Sequence, residues 1–167
     1  MKIQRCFTTS CAQMLLLVVL MGGFATAEDK KKDGQSACSN PNPASLCNAD
    51  NTCGSVSTPC SVDVKRTSNS SSATPSIPGA KGNSLFCVKT GTTVTWMSSA
   101  KDTGFLIYFG ASSPFDPPGD VRGGSAKSVS VVAKTPGCVK YNLSATAENA
   151  IYGKSKAAQA ELIVIGQ

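Results

Sequence analysis

The chain has no histidine. That removes the side chain most used as a general base near neutral pH and as a nitrogen ligand to zinc, copper and iron. Enzymes and metal carriers built on imidazole are therefore excluded. Aromatic residues are only 6% of the chain, with a single tryptophan, and charged residues only 16%. A nucleic-acid partner needs a sustained basic face interleaved with aromatics, and none is present. Long hydrophobic runs are also missing. The one candidate, residues 14–24, is eleven residues long, whereas a spanning helix needs ~20. Lys2 and Arg5 precede this run and Ala25-Thr26-Ala27 follows it, the order of a secretory leader. Residues 1–27 are read as a signal peptide cleaved after Ala27, with no membrane span once it is removed. Cys6 and Cys11 lie before the apolar run, so a lipid-modified cysteine at the cleavage point is not expected.

What remains, residues 28–167, fits one compact domain with an appendage. Without Lys2 and Arg5 the formal charge of +6 falls to about +4. The cluster Lys30–Lys32 is bracketed by Glu28, Asp29 and Asp33. Residues 28–37, EDKKKDGQSA, are polar and aperiodic and read as a disordered tail. Six cysteines follow: Cys38, Cys47, Cys53, Cys60, Cys87 and Cys138. An even number in an exported chain implies disulfides, and six cysteines allow fifteen pairings. Four of them crowd into residues 38–60, where Leu46 and Val56 are nearly the only aliphatics. Crosslinks must order this segment, and two local disulfides are the expectation. The gaps of eight, five and six residues do not match the paired spacing of a zinc knuckle or a redox dithiol. A thiolate cluster for a soft metal is the alternative.

Beyond Cys60 the chain reads as strands. CSVDVK, residues 60–65, alternates Val62 and Val64 with polar residues. Residues 66–83, RTSNSSSATPSIPGAKGN, have the Ser, Thr, Pro and Gly content of a long loop. Within them Asn69-Ser70-Ser71 matches the N-glycosylation acceptor pattern, as does Asn142-Leu143-Ser144 later. LFCVK (85–89), TTVTW (92–96), KSVSVVAK (127–134), CVKYNLSA (138–145) and ELIVIG (161–166) are strand-like. GFLIYFG (104–110) is a continuous apolar run, the pattern of a strand buried on both faces. Residues 112–124, SSPFDPPGDVRGG, are broken by proline and glycine and read as loop. No sustained helical period appears outside the leader. Short strands at this spacing argue for a sandwich or barrel.

GTTVTW (91–96), a polar loop, an apolar strand, PGCVKY (136–141) and the closing IVI (163–165) together resemble the cupredoxin, or plastocyanin-like, family. The resemblance covers residues 61–167. It implies an all-β, Greek-key sandwich of six to eight strands, here preceded by a small Cys-rich segment. It also aligns the family's copper ligands: the first histidine with Gly104, the cysteine with Leu143, the second histidine with Thr146 and the methionine with Ile151. None of these side chains ligates copper, so no metal site and no cofactor are carried over. Cys87 and Cys138, within the sandwich and near strand ends, are expected to pair with each other.

These readings point to an exported, non-catalytic binding or structural protein, periplasmic or extracellular. Its partner would be an unknown protein or a cell-surface component. The alternative is a metal-binding or electron-transfer protein with a non-standard thiolate copper site. Catalytic candidates are few. Beyond the first expected strand, Asp102, Asp116, Asp120 and Glu148 are the carboxylates inside the expected sandwich before its last strand, and aspartates beside proline and glycine are ordinary turn formers. Recognition most often sits on loops, and the candidate is the 112–124 loop, with Phe115, Asp116, Asp120 and Arg122. There Phe115 either anchors a partner or plugs one end of the sandwich, and the plug is the preferred reading.

Overall fold

The computed structural model describes residues 36–147, 150–152 and 158–166. The chain divides into two units, Met1–Lys32 and Asp33–Gln167, and every described residue belongs to the second. The leader assigned to residues 1–27 lies outside the described residues, as do Glu148 and most of the 28–37 tail. Ser36 and Ala37, read as the end of that tail, instead begin the folded part. Among the described residues no helix is long and apolar enough to cross a membrane.

The protein is an all-β sandwich, as its alternating hydrophobic pattern predicts. Its strands are β1 Cys60–Thr67, β2 Ser70–Pro75, β3 Phe86–Lys89, β4 Thr93–Met97, β5 Gly104–Tyr108, β6 Phe115–Asp116, β7 Val121–Gly124, β8 Val129–Ala133, β9 Gly137–Ala147, β10 Ala150–Tyr152 and β11 Ala158–Ile165. The first sheet runs β2-β1-β4-β8-β6. The second runs β3-β11-β9-β5-β7, with β10 added beside β9. Two parallel pairs, β1 with β4 and β3 with β11, sit among antiparallel ones. Eleven described strands exceed the six to eight expected, partly because β6 and β10 are only two and three residues long.

The inner faces meet around Trp96, which is fully buried. Its indole makes edge contacts with Phe86, Phe109, Phe115 and Tyr141 at centroid distances of 5.6–6.5 Å. Val62, Val64, Val94 and Val131 of the first sheet and Ile107, Leu143, Leu162 and Val164 of the second fill the space around it. Each large side chain buried this way contributes roughly 1.5–3 kcal/mol.

The stretch 66–83, expected as a loop, carries the end of β1 and all of β2. Its alternation was hidden because the inward residues, Ser71, Ala73 and Pro75, are small or polar. Ser71 donates its hydroxyl to the Leu143 carbonyl across the sandwich at 2.8 Å. Asn83 covers the outer edge of β2: its Oδ1 accepts from the Ala73 N–H at 2.9 Å and its own N–H donates to the Ala73 carbonyl at 2.7 Å. An edge strand so occupied cannot recruit a foreign strand there.

The cysteines pair as Cys38–Cys138, Cys47–Cys87 and Cys53–Cys60. This corrects two expectations. Only Cys53–Cys60 is local to residues 38–60, and Cys87 does not bond Cys138. The register explains why. Ile163 is the cross-strand neighbour of Cys87 on one side and of Cys138 on the other. The two cysteines are thus two strand spacings apart, about 9.5 Å, beyond the reach of a disulfide. Both point to the outer face of the second sheet, where Ala37, Leu46 and Cys47 pack over Ile163, Leu85 and Ile165 in a small second core. The Cys-rich segment is therefore a cover stapled onto that face. Its residues Asn51 and Cys53 also bond the edge of β3, the Asn51 carbonyl accepting from the Cys87 N–H at 2.8 Å and the Cys53 N–H donating to the Cys87 carbonyl at 2.8 Å.

Candidate functional site

The second sheet has an outer face of two unlike halves. Over β3, β11 and the start of β9 it is closed by the stapled segment. Glu161 fastens the leading end of that segment: its carboxylate accepts from the Ser36 hydroxyl, from the Ala37 N–H at 2.7 Å and from the Cys38 N–H at 3.4 Å, with Lys140 Nζ 4.0 Å away. Partial burial works to raise the Glu161 pKa. The hydrogen bonds and the lysine outweigh it and hold the carboxyl below its ordinary value.

Over β5, β7, β10 and the end of β9 the same face is open. The run GFLIYFG, expected to be buried on both sides, is covered on one only. Phe105 and Ile107 face the core, while Leu106 is half-buried and Tyr108 is 51% exposed. Strand register lines up the outward residues in rows. Tyr108 lies opposite Asn142, which lies opposite Gln159. Arg122 lies opposite Leu106, which lies opposite Ser144. Gly124, Gly104, Thr146 and Ile151 form a third row, and Ile151 is 56% exposed. The first row runs into a cleft of about 240 Å³ walled by Ser36, Asn83, Leu85, Lys140, Gln159 and Glu161, at the border of the covered half.

Residues 112–124, expected as loop, instead carry the short strands β6 and β7, paired with β8 and β5, and do not act as one constellation. Phe115 is 3% exposed and packs edge-on against Trp96 and Phe109. It is a plug for the core, not a surface anchor. Asp116 is exposed and pairs with Lys134 at 3.3 Å. Asp120 meets Arg122 at 3.9 Å, and Arg122 belongs to the open face of the second sheet. Among the sequence candidates, then, the structure joins Arg122 to residues that sequence reasoning did not mark for binding: Tyr108, Gln159 and Asn142, the last noted only within a glycosylation pattern. The available signal was that FLIY packs four apolar or aromatic residues into a sheet for which only one covering segment exists.

The four positions aligned with copper ligands are also located. Gly104 and Thr146 are direct cross-strand partners, Ile151 is the next partner of Thr146, and Leu143 faces the core opposite Ile107. Continuous sheet occupies the place where a ligand pocket would have to open. The six cysteines from Cys38 to Cys138 are all disulfide-bonded, and among the described residues no cluster of three or more Cys, Asp or Glu has metal-binding proximity. What the open face offers chemically is contact: one aromatic ring, amides, hydroxyls and an ion-paired guanidinium on a hydrogen-bonded sheet.

No protein-family model matches this sequence, and no curated protein matches it significantly.

Proposed function

We propose that this is an exported, non-catalytic binding module, built on a cupredoxin-like sandwich without a type 1 copper site and acting in the periplasm or outside the cell. The three intramolecular disulfides indicate an oxidising, exported environment. The observation that carries the binding reading is the asymmetry of the second sheet. One half of its outer face is sealed by a dedicated segment, while the other presents Tyr108 and Ile151 to solvent beside half-buried Leu106. A rigid sheet is a better platform than a loop for a preorganised contact surface. The paired states of Asp116 and Asp120 support a structural rather than an acid–base role for these carboxylates.

The test is capture of partners by the disulfide-intact secreted protein under non-reducing conditions, beside a Tyr108→Ala variant. A component retained by the parent and lost by the variant is expected. Identical recovery by both would remove this face from the proposal. Turnover on a broad hydrolase panel that disappears in Asp116→Asn or Asp120→Asn would replace binding with catalysis.

A further inference from the structure

We infer that the occupant of the open face is a neutral polysaccharide chain, laid across the strands along the row Tyr108, Asn142, Gln159 and ending in the cleft beside Gln159. The inference rests on the proposed binding role of this face and gives it a ligand class. The row offers the two kinds of contact a sugar ring requires. Tyr108 supplies a flat aromatic surface with a polar tip. Asn142 and Gln159 supply amides that present a donor and an acceptor side by side, so that each can meet two neighbouring sugar hydroxyls. Adjacent strands space these groups by ~4.8 Å, a regular interval suited to a repeating polymer. Among the described residues the side chains of Asn142, Ser144, Thr146 and Gln159 have no hydrogen-bond partner within the protein, so their capacity is available to a ligand.

Charge and area select against the other occupants. On the three rows the one cation, Arg122, is matched by Asp120, and Lys140 at the cleft is matched by Glu161. A polyanion or an acidic membrane needs a surplus of cations, and among the described residues this face has none. Three rows across four strands give about 300–400 Å², roughly half of the ~800 Å² per partner in a stable protein interface. A second copy or a folded protein would be held weakly, whereas a few sugar units fill such a strip. The cleft, at about 240 Å³ and walled largely by polar side chains, gives the polymer a defined end or branch position.

The experiment is affinity electrophoresis of the disulfide-intact secreted protein through native gels containing a soluble β-1,4-glucan, a xylan, a β-1,3-glucan or an α-glucan, with a polyuronate gel alongside. Retardation is expected in at least one neutral polymer. It should weaken by about tenfold or more in Tyr108→Ala, weaken in Gln159→Ala, and stay unchanged in Val132→Thr on the outer face of the first sheet. Thermal melts confirm that each variant is folded. Absence of retardation in every neutral gel, or retardation that survives Tyr108→Ala, overturns the inference. Tyr108-dependent binding confined to the polyuronate gel, or to an identified protein, overturns the glycan class and leaves the face as a binding surface. If no Tyr108-dependent interaction of any kind is found, both the glycan class and the assignment of binding to this face fall.

Discussion

Gly104 of β5 lies directly across from Thr146 of β9, so close that a methyl group on residue 104 would stand 2.5 Å from Thr146 Oγ1. The contact is a steric lock within the open face, at two of the positions aligned with histidine ligands. Gly104→Ala is expected to destabilise the protein by about 1 kcal/mol, the cost of overpacking exceeding the gain from removing a strand glycine. In a Thr146→Ala background the same change should be neutral or stabilising. Urea midpoints of the four proteins in this double-mutant cycle measure the coupling. An equal cost in both backgrounds would mean that the two residues are not in contact.

Tyr141 offers a second test. Its hydroxyl is buried and has no hydrogen-bond partner, and burial pushes its pKa far up. Tyr141→Phe removes an unsatisfied group and should raise stability by about 1 kcal/mol at neutral pH. The sign of the pH effect follows from linkage. The folded pKa lies above the unfolded value of about 10, so the parent carries no ionisation penalty below that pH. It loses stability as pH rises above it, because only the unfolded chain then releases the proton. The gap between parent and variant should therefore widen from pH 9 to pH 11 in urea titrations.

Glu161 should behave in the opposite sense. Its folded pKa is depressed, so its contribution is present above the unfolded carboxyl value of about 4.3 and fades as pH falls through the folded value. Glu161→Gln is expected to lower amide-exchange protection at Ala37 and Cys38 at pH 7 while leaving Trp96 fluorescence unchanged. Below about pH 4 the parent should approach the variant. Unchanged protection in Glu161→Gln at pH 7 would show that the carboxylate does not hold the segment.

Peptide mapping without reduction should recover three linked pairs: Cys38 with Cys138, Cys47 with Cys87, and Cys53 with Cys60. Replacing Cys38, Cys47, Cys87 and Cys138 by serine together should free the cover and expose Ile163 and Ile165, detected as new binding of a hydrophobic dye. The chain-entropy model assigns ~4–5 kcal/mol to loops as long as those closed by Cys38–Cys138 and Cys47–Cys87. The quadruple variant should thus melt far below the parent. A Cys53→Ser, Cys60→Ser variant should lose less, because its loop separates residues only seven apart.

The strands that could be read from the sequence were those with large inward residues, such as Val94 and Trp96 on β4 or Tyr141 and Leu143 on β9. β2 was hidden because serine, alanine and proline carry too little hydrophobic contrast to show a period of two. The disulfides were hidden for a different reason. They depend on which face Cys87 and Cys138 occupy, and that is fixed by β11 lying between their strands, a non-local pairing. One clue was present. ELIVIG is apolar on both faces, and the small core around Ile163 shows what such a pattern requires, a second covering layer. GFLIYFG carries the same pattern without the cover, so the candidate site became visible only once both strands were placed in one sheet, with β9 between them. Phe115 shows the converse: residues 112–124, read from their proline and glycine as loop, carry the short strands β6 and β7, and β6 turns the segment's one aromatic inward.

The bond between Cys38 and Cys138 closes a ring that contains β1 to β8. A protease that cuts the backbone once anywhere inside that ring releases no fragment, since both pieces stay joined through sulfur. In surroundings rich in hydrolytic enzymes, a nicked molecule would keep its sheets in register and remain in service until a reductant reaches it.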